Sequence, residues 1–320
     1  MKPKYLNPLI DYIFKKIFGD EKHKEILISF LNSLEIESQG RKIVDLQILN
    51  NANEKRFKRD KFSILDIKAK LDNGDLVNIE VQILPYDHML QRTMYYWAKL
   101  YSDQLNQGED YGVLNNTVVV NVLGYNQFSH GKIHSVYQIR DKESGEKLGD
   151  FLEIHFLETR KIEESQQEIN EDLKGWLLFL SDPENQRLMR LGKEKEEMGK
   201  AINLLEELSR SREERAIAEE REKALRDELS FRKAALEKGL REGRALGKEE
   251  GRALGKEEGR VEGRVEGLAE GLAEGLEKGL EKGALQEKLN TAKRLIQKGM
   301  ALSEVAEITG LSSEEIEGLR

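Results

Sequence analysis

The stretch SILDIKAKLDNGDLVNIEVQ, residues 63–82, indicates how the core of this chain is built. Two runs rich in Ile, Leu and Val, residues 62–71 and 76–83, flank the turn DNGD at residues 72–75. An Asn-Gly pair between two such runs is typical of a β-hairpin. A hairpin centred on this turn pairs residues whose numbers sum to about 147. The sequence therefore predicts two antiparallel strands in the middle of the protein.

Polar side chains in this hairpin suggest a site. Glu80 and Gln82 lie two residues apart, so they share one face of the second strand. The pairing places Asp66 of the first strand opposite residue 81 and diagonal to both. Two carboxylates can then converge, and their oxygens suit Mg²⁺, which can activate water beside a phosphate. The alternative is an edge strand with one solvated face, which is the commoner reason for such a pattern.

The segments around the hairpin predict an α/β core of about 160 residues, large enough for one sizeable hydrophobic core. Helical periodicity predicts two helices within residues 7–34 and a third over 88–105. Short β-rich runs predict further strands at residues 43–49, 116–125, 137–142 and 148–158.

Four separated motifs carry a family resemblance: DYIFKKIFGD (11–20), SILDIKAKLDNGDLVNIEVQ (63–82), QRTMYYWAKLYSDQLNQGEDY (91–111) and IHFLETRKI (154–162). Together they resemble the PD-(D/E)XK nucleases, and in particular the Rpn family of recombination-promoting nucleases, also called PD-(D/E)XK family transposases. The resemblance covers residues 5–190. It implies a restriction-endonuclease-like mixed sheet and a Mg²⁺- or Mn²⁺-dependent DNA endonuclease with little sequence specificity. Its biological setting would be recombination, mobile elements or defence.

The same resemblance assigns roles to the residues of the hairpin. Asp66 and Glu80 would be metal ligands, and Gln82 would stand where the motif usually has a catalytic Lys. A Gln side chain keeps hydrogen bonding but adds no charge. Lys68, two residues after Asp66, could supply that cation. The departure at Gln82 leaves an alternative: a weak or inactive nuclease fold that binds DNA or associates with itself as a regulatory protein.

Two further residues are candidates outside the hairpin. Asp11, at the start of the first helix, is a candidate third acidic ligand of the metal; its alternative role is to interact with the helix dipole. Arg92, on the helix after Gln82, could hold a DNA phosphate; its alternative is a surface ion pair.

A basic segment precedes the hairpin. Residues 53–62, NEKRFKRDKF, hold five basic side chains within seven positions. We expect this segment to contact the DNA backbone; the alternative is a solvated loop. The five are Lys55, Arg56, Lys58, Arg59 and Lys61.

Beyond the predicted nuclease domain, residues 1–190, the chain changes character. Residues 191–284 predict a charged helical arm, in which Gly recurs at every fourth position from 239 to 283, twelve times in all. Each Gly costs a helix about 1 kcal/mol relative to Ala, so this row is either a helix with a close-packing stripe or a disordered spacer. Residues 285–320 predict a small helical module with Gly299 and Gly310 as helix stops, Ser303 as an N-cap and a capping box at Ser312. We expect the arm or the module to mediate homo-oligomerisation.

Composition excludes several classes of protein. The absence of cysteine excludes disulfides, thiolate zinc sites and a Cys nucleophile. A net charge of −8 leaves no broad basic face, so DNA would bind through a local patch. No apolar run approaches the length of a transmembrane helix, and charges interrupt the first apolar run. We therefore expect a cytoplasmic protein without a membrane contact.

Overall fold

The computed structural model describes residues 4–36, 40, 42–49 and 67–319. It divides the chain into two compact units, Met1–Arg232 and Lys233–Arg320. The domain boundaries placed at residues 190 and 284 from the sequence stay predictions.

The first unit is built on a mixed sheet of six described strands in the order β1-β2-β3-β4-β6-β5. β3 and β4 are parallel, as are β4 and β6, whereas the pairs β1–β2, β2–β3 and β5–β6 are antiparallel. The α/β class predicted from the sequence is confirmed. The strands are β1 Leu46–Ile48, β2 Ile67–Leu71, β3 Leu76–Gln82, β4 Thr117–Leu123, β5 His134–Gln138 and β6 Leu152–Glu158.

The hairpin of β2 and β3 is confirmed, but its predicted register is wrong by one residue. Ile67 pairs with Ile79 and Lys68 with Asn78, so paired numbers sum to 146. The cause is the turn, in which Gly74 adopts a φ of +100° and Leu71 N–H donates to the Asp75 carbonyl across a three-residue loop. Lys68 therefore lies on the same face as Asn78.

The strand predicted over residues 137–142 lies earlier, as β5. The Asp141 carboxylate accepts the backbone N–H groups of Glu143 and Ser144, at 3.0 and 2.7 Å. This side chain supports a turn where the prediction continued the strand.

One face of the sheet carries the main hydrophobic core. The helices α1 Asp11–Phe18, α2 Lys24–Ser33, α4 Glu171–Ser181 and α6 Glu196–Arg210 contribute to it, and the short α5 Gln186–Glu194 precedes α6. At its centre, the Phe18 ring packs on Phe14, Phe30 and Trp176, with centroids 4.5 to 5.6 Å apart. The two helices predicted within residues 7–34 are confirmed as α1 and α2.

The opposite face of the sheet is covered by α3, Met89–Ser102. Met89 packs there with Val119, Leu123 and Phe156, and the Trp97 ring lies against the same cluster. This face also carries Asn78, Glu80 and Gln82, so α3 limits the access of solvent and ligands to these side chains.

The helix α7, Arg212–Gln297, includes the whole glycine row, residues 239–283, which lies within the second unit. The helical interpretation of the row is therefore confirmed. A Cβ built at any of the twelve glycines meets nothing within 4 Å. Ion pairs one turn apart, such as Glu274 with Lys278, support a helix that the glycines weaken.

The C-terminal module packs α8 Leu302–Thr309 and α9 Ser313–Glu317 on the end of α7. Gly310 ends α8 with a φ of +63°, and the predicted capping box of Ser312 and Glu315 is present. The N-cap prediction is wrong: Ala301 occupies that position, and Ser303 lies inside the first turn of α8.

Candidate active site

Glu80 lies in the interior of the sheet. Its strand, β3, is bonded on both sides, by β2 and β4, and its side chain points to the face that α3 covers. Only 1% of the residue is exposed. A carboxylate in such a place requires a charged or hydrogen-bonded partner, because burial of an unpaired ion is costly.

Arg92 of α3 supplies the charge. Its Nη2 lies against Oε1 of Glu80 within ion-pair distance, while the guanidinium side chain keeps 21% exposure. The rings of Tyr86 and Tyr96 flank the guanidinium, with centroids 5.6 and 5.2 Å from Cζ. Cation–π contacts of this kind help to hold an Arg side chain in place.

The contact of Arg92 with Glu80 lacks the geometry of a hydrogen bond. Both carboxylate oxygens of Glu80 are buried without a hydrogen-bond partner, as are both amide atoms of Asn78. Nε of Arg92 and the hydroxyl of Tyr125 are also buried without a hydrogen-bond partner. Each unsatisfied buried polar group costs about 1–3 kcal/mol. Such a concentration of unmet groups at the face of β3 is typical of a ligand site.

The pKa values of Glu80 and Tyr125 reflect their burial and the charges of their neighbours. Burial raises the pKa of Glu80 from 4.5 to about 7, although the positive charge of Arg92 opposes the increase. Burial also raises the pKa of Tyr125 to about 12, and the negative charge of Glu80 contributes. Burial therefore disfavours the ionised forms of both Glu80 and Tyr125.

A polar layer continues beneath the site on β4. Asn121 pairs in register with Glu80 and is fully buried. Its Oδ1 accepts the Thr93 hydroxyl of α3 at 3.1 Å, and its Nδ2 donates to the His155 carbonyl at 3.1 Å. These bonds fix the sheet and α3 relative to each other beside Glu80.

The comparisons with known proteins identify the fold. A family profile described as PD-(D/E)XK nuclease family transposase matches residues 8–235. The chain belongs to this family. No curated protein and no solved structure matches the chain significantly. Membership of the family supports a nuclease- or transposase-related function, which implies DNA as the substrate, and PD-(D/E)XK nucleases generally use divalent metals.

Within this PD-(D/E)XK nuclease domain, three residues predicted for the site share one face of the hairpin. Glu80 and Gln82 alternate along β3, and Lys68 lies opposite Asn78 on β2. Gln82 is half-buried at the end of β3, where its carbonyl accepts the N–H of Gly124 at 2.9 Å. The structure thus places Glu80, Gln82 and Lys68 on one face of the hairpin, and Arg92 against Glu80.

Several predicted residues lie outside the described part of the chain. These are the predicted ligand Asp66 and the basic residues Lys55, Arg56, Lys58, Arg59 and Lys61. Within residues 4–36, 40, 42–49 and 67–319, no group of three or more Asp, Glu, His or Cys side chains is placed to hold a metal. Of the two carboxylates that the motif predicts as ligands, Asp66 and Glu80, the structure describes Glu80.

Asp11 has contacts that favour its alternative role. It is the first residue of α1, and its Oδ1 accepts the N–H of Tyr12 at 2.7 Å. Its Oδ2 lies 3.6 Å from Nη1 of Arg221 on α7. A carboxylate at this end of a helix interacts favourably with the helix dipole.

Asn78 and Tyr125 are the site residues that the sequence analysis missed. Asn78 lies two residues before Glu80, so its place on the same face follows from the strand period of two. Tyr125 follows β4, and nothing in its local sequence indicates a contact with β3. Only the parallel pairing of β3 and β4 brings it there.

A second buried polar cluster occupies the other face of the sheet. Oε1 of Glu153 lies 2.8 Å from Nε2 of His155, whose Nδ1 lies 2.8 Å from Nε2 of His134. Burial lowers the pKa of His134 to about 3, so this imidazole is neutral. The cluster fastens the edge strand β5 to β6.

No described helix combines the length and the apolarity that a bilayer crossing requires.

Proposed function

We propose that this protein is a metal-dependent DNA endonuclease that hydrolyses phosphodiester bonds with little sequence specificity. The observation that carries the proposal is Glu80, a fully buried carboxylate whose two oxygens both lack a hydrogen-bond donor. In a PD-(D/E)XK domain, this is the position at which a cation-binding carboxylate is expected.

The side chains around Glu80 fit a divalent cation. Carboxylate and amide oxygens are the hard ligands that Mg²⁺ and Mn²⁺ prefer, and Glu80 and Asn78 present both kinds without hydrogen-bond partners. Asp66 would be the second carboxylate, on the strength of the sequence motif. When bound, the cation would polarise the phosphate and lower the pKa of a coordinated water.

The remaining predicted residues would orient the attacking water, supply positive charge and bind the DNA backbone. Gln82 would hydrogen-bond the attacking water, because its amide can both donate and accept. Lys68, on the same face as Asn78, would provide the positive charge that Gln82 lacks. The basic side chains between Lys55 and Lys61 would hold the DNA backbone, independently of its sequence.

One observation favours a second candidate function. Gln82 carries no charge where the motif usually has Lys, so it adds no positive charge to stabilise the negative charge that develops on the phosphate in the transition state. A protein with such a loss would act as a DNA-binding or self-associating regulatory protein. In either case, the glycine-containing arm or the C-terminal module would mediate self-association.

Nicking of supercoiled plasmid separates the two functions. We expect relaxed product with Mg²⁺ or Mn²⁺ and none with EDTA. Plasmid that is bound, as shown by retarded migration, but stays supercoiled with every cation would support the binding protein instead.

A further inference from the structure

Arg92 and a divalent cation would require the same carboxylate. Nη2 of Arg92 already lies against Oε1 of Glu80, and the pair is enclosed between β3 and α3. A guanidinium and a metal ion cannot both contact one small carboxylate without strong mutual repulsion in so dry a place. The position of Arg92 is therefore that of a competitor of the metal.

The bonds of Arg92 at this position are incomplete. Its contact with Glu80 lacks hydrogen-bond geometry, and its Nε is buried without an acceptor. An Arg side chain normally satisfies a carboxylate with two parallel hydrogen bonds. The pair thus neutralises charge without the bidentate bonding that would make it hard to break.

The surroundings of Arg92 favour an anion as its other partner. The guanidinium lies over the rings of Tyr86 and Tyr96, and the side chain keeps 21% exposure, so part of it already reaches solvent. α3 has no side-chain N-cap and no acidic residue in its first turn, so its positive end is not neutralised by its own side chains. Arg92 is the fourth residue of this helix.

We propose that Arg92 is an internal counterion that holds Glu80 in the metal-free protein and transfers to a DNA phosphate when a divalent cation takes the carboxylate. This proposal rests on the proposed function of Glu80 as a metal ligand. Arg92 is thereby a positioning residue that couples metal binding to DNA binding. No covalent step is involved: one ion pair is exchanged for two others.

The first test is calorimetric titration with Mn²⁺ alone. Wild type should bind Mn²⁺ in a manner that Glu80→Gln abolishes. Arg92→Gln should bind Mn²⁺ at least about tenfold more tightly, because the competing charge is gone. Arg190→Gln is the matched control: it removes an exposed positive charge whose partner is Glu194, and should bind as wild type does. If Arg92→Gln does not fold, Arg92→Met keeps the side-chain stem between the two rings and repeats the test.

The second test is the salt dependence of DNA binding, followed by fluorescence anisotropy of a labelled duplex. With Ca²⁺, which takes the same oxygen ligands, log K for wild type should fall more steeply with log salt than for Arg92→Gln. The difference should be about 0.9, the value for one phosphate contact. With EDTA, the two slopes should be equal, because Arg92 is then held by Glu80.

The outcomes separate the two proposals. Equal Mn²⁺ binding by wild type and Glu80→Gln would show that Glu80 is not a metal ligand. Both the proposed function and the counterion proposal would then be wrong. Glu80-dependent binding that Arg92→Gln leaves unchanged or weakens would overturn the counterion proposal while the proposed function stands. A lower salt slope for Arg92→Gln with EDTA as well as with Ca²⁺ would show that Arg92 contacts DNA at all times, and would overturn the transfer.

Discussion

Replacement of Glu80 by Gln should stabilise the metal-free protein at alkaline pH. The substitution keeps the shape of the side chain and removes its ionisation. In the folded protein, the pKa of Glu80 is raised from 4.5 to about 7, mainly by burial. The folded state therefore holds this proton more tightly than the unfolded chain does, and wild type loses stability as pH rises from about 4.5 to about 7.

The size of the effect follows from the two pKa values. A pKa of about 7 in place of 4.5 corresponds to about 3 kcal/mol of differential stability. The Gln variant resembles the protonated residue, in which Arg92 also has no anionic partner. We therefore expect the variant and wild type to be equally stable near pH 4, and the variant to be more stable by up to about 3 kcal/mol at pH 8.5.

The measurement is urea unfolding in EDTA from pH 4 to pH 8.5, followed by tryptophan fluorescence. The protein has two tryptophans, Trp97 and Trp176, and both lie in the unit Met1–Arg232. The signal therefore reports the unit that holds the site. Glu194→Gln, at an exposed position, is the control and should show no such divergence from wild type. Parallel pH profiles for wild type and Glu80→Gln would refute the burial argument.

Three further predictions concern the motif, the basic segment and the arm. Gln82→Ala should reduce cleavage about 10²-fold, and Gln82→Lys should keep or raise it, in a single-turnover plasmid assay; wild-type rates for Gln82→Ala would leave Gln82 only a polar strand residue. Neutralisation of Lys55, Arg56, Lys58 and Arg59 should flatten the salt dependence of DNA binding by up to about 4 in slope, whereas an unchanged slope would assign them to solvent. Gly263→Leu with Gly267→Leu, or deletion of two residues from the row, should disrupt self-association measured by light scattering. Deletion of residues 255–258 keeps the glycines in phase and should be tolerated. Equal masses for all variants would show that the row is only a tether.

Local patterns were sufficient to predict most of the fold. The period of two placed Glu80 and Gln82 on one face, and helical periodicity located α1, α2 and α3. The register of the hairpin was missed because a three-residue loop with Gly at positive φ and a two-residue Asn-Gly loop share the same sequence signal. The helical state of the glycine row could be weighed from the sequence but not decided, since propensity opposes it and charge pairing favours it.

The candidate site was harder to predict than the strands that carry it. The carboxylate and its neighbours follow from the motif, but their partners come from other elements. Arg92 was expected to contact phosphate or to form a surface pair, and the structure places it on a buried carboxylate instead. Only the covering of β3 by α3 creates that contact. Tyr125 and Asn121 enter the site through the pairing of β3 with β4, which periodicity within one segment does not reveal.

Single-turnover cleavage of supercoiled plasmid tests the central claim, that Glu80 serves a metal-dependent hydrolysis of DNA, most directly. Wild type, Glu80→Ala, Asp66→Ala and the exposed-site control Glu194→Gln would be compared in Mg²⁺, Mn²⁺ and EDTA. We predict cleavage by wild type and the control with either cation, none in EDTA, and a loss of at least about 10³-fold in both alanine variants. Metal-dependent nicking that both alanine variants retain at the wild-type rate would contradict the assignment.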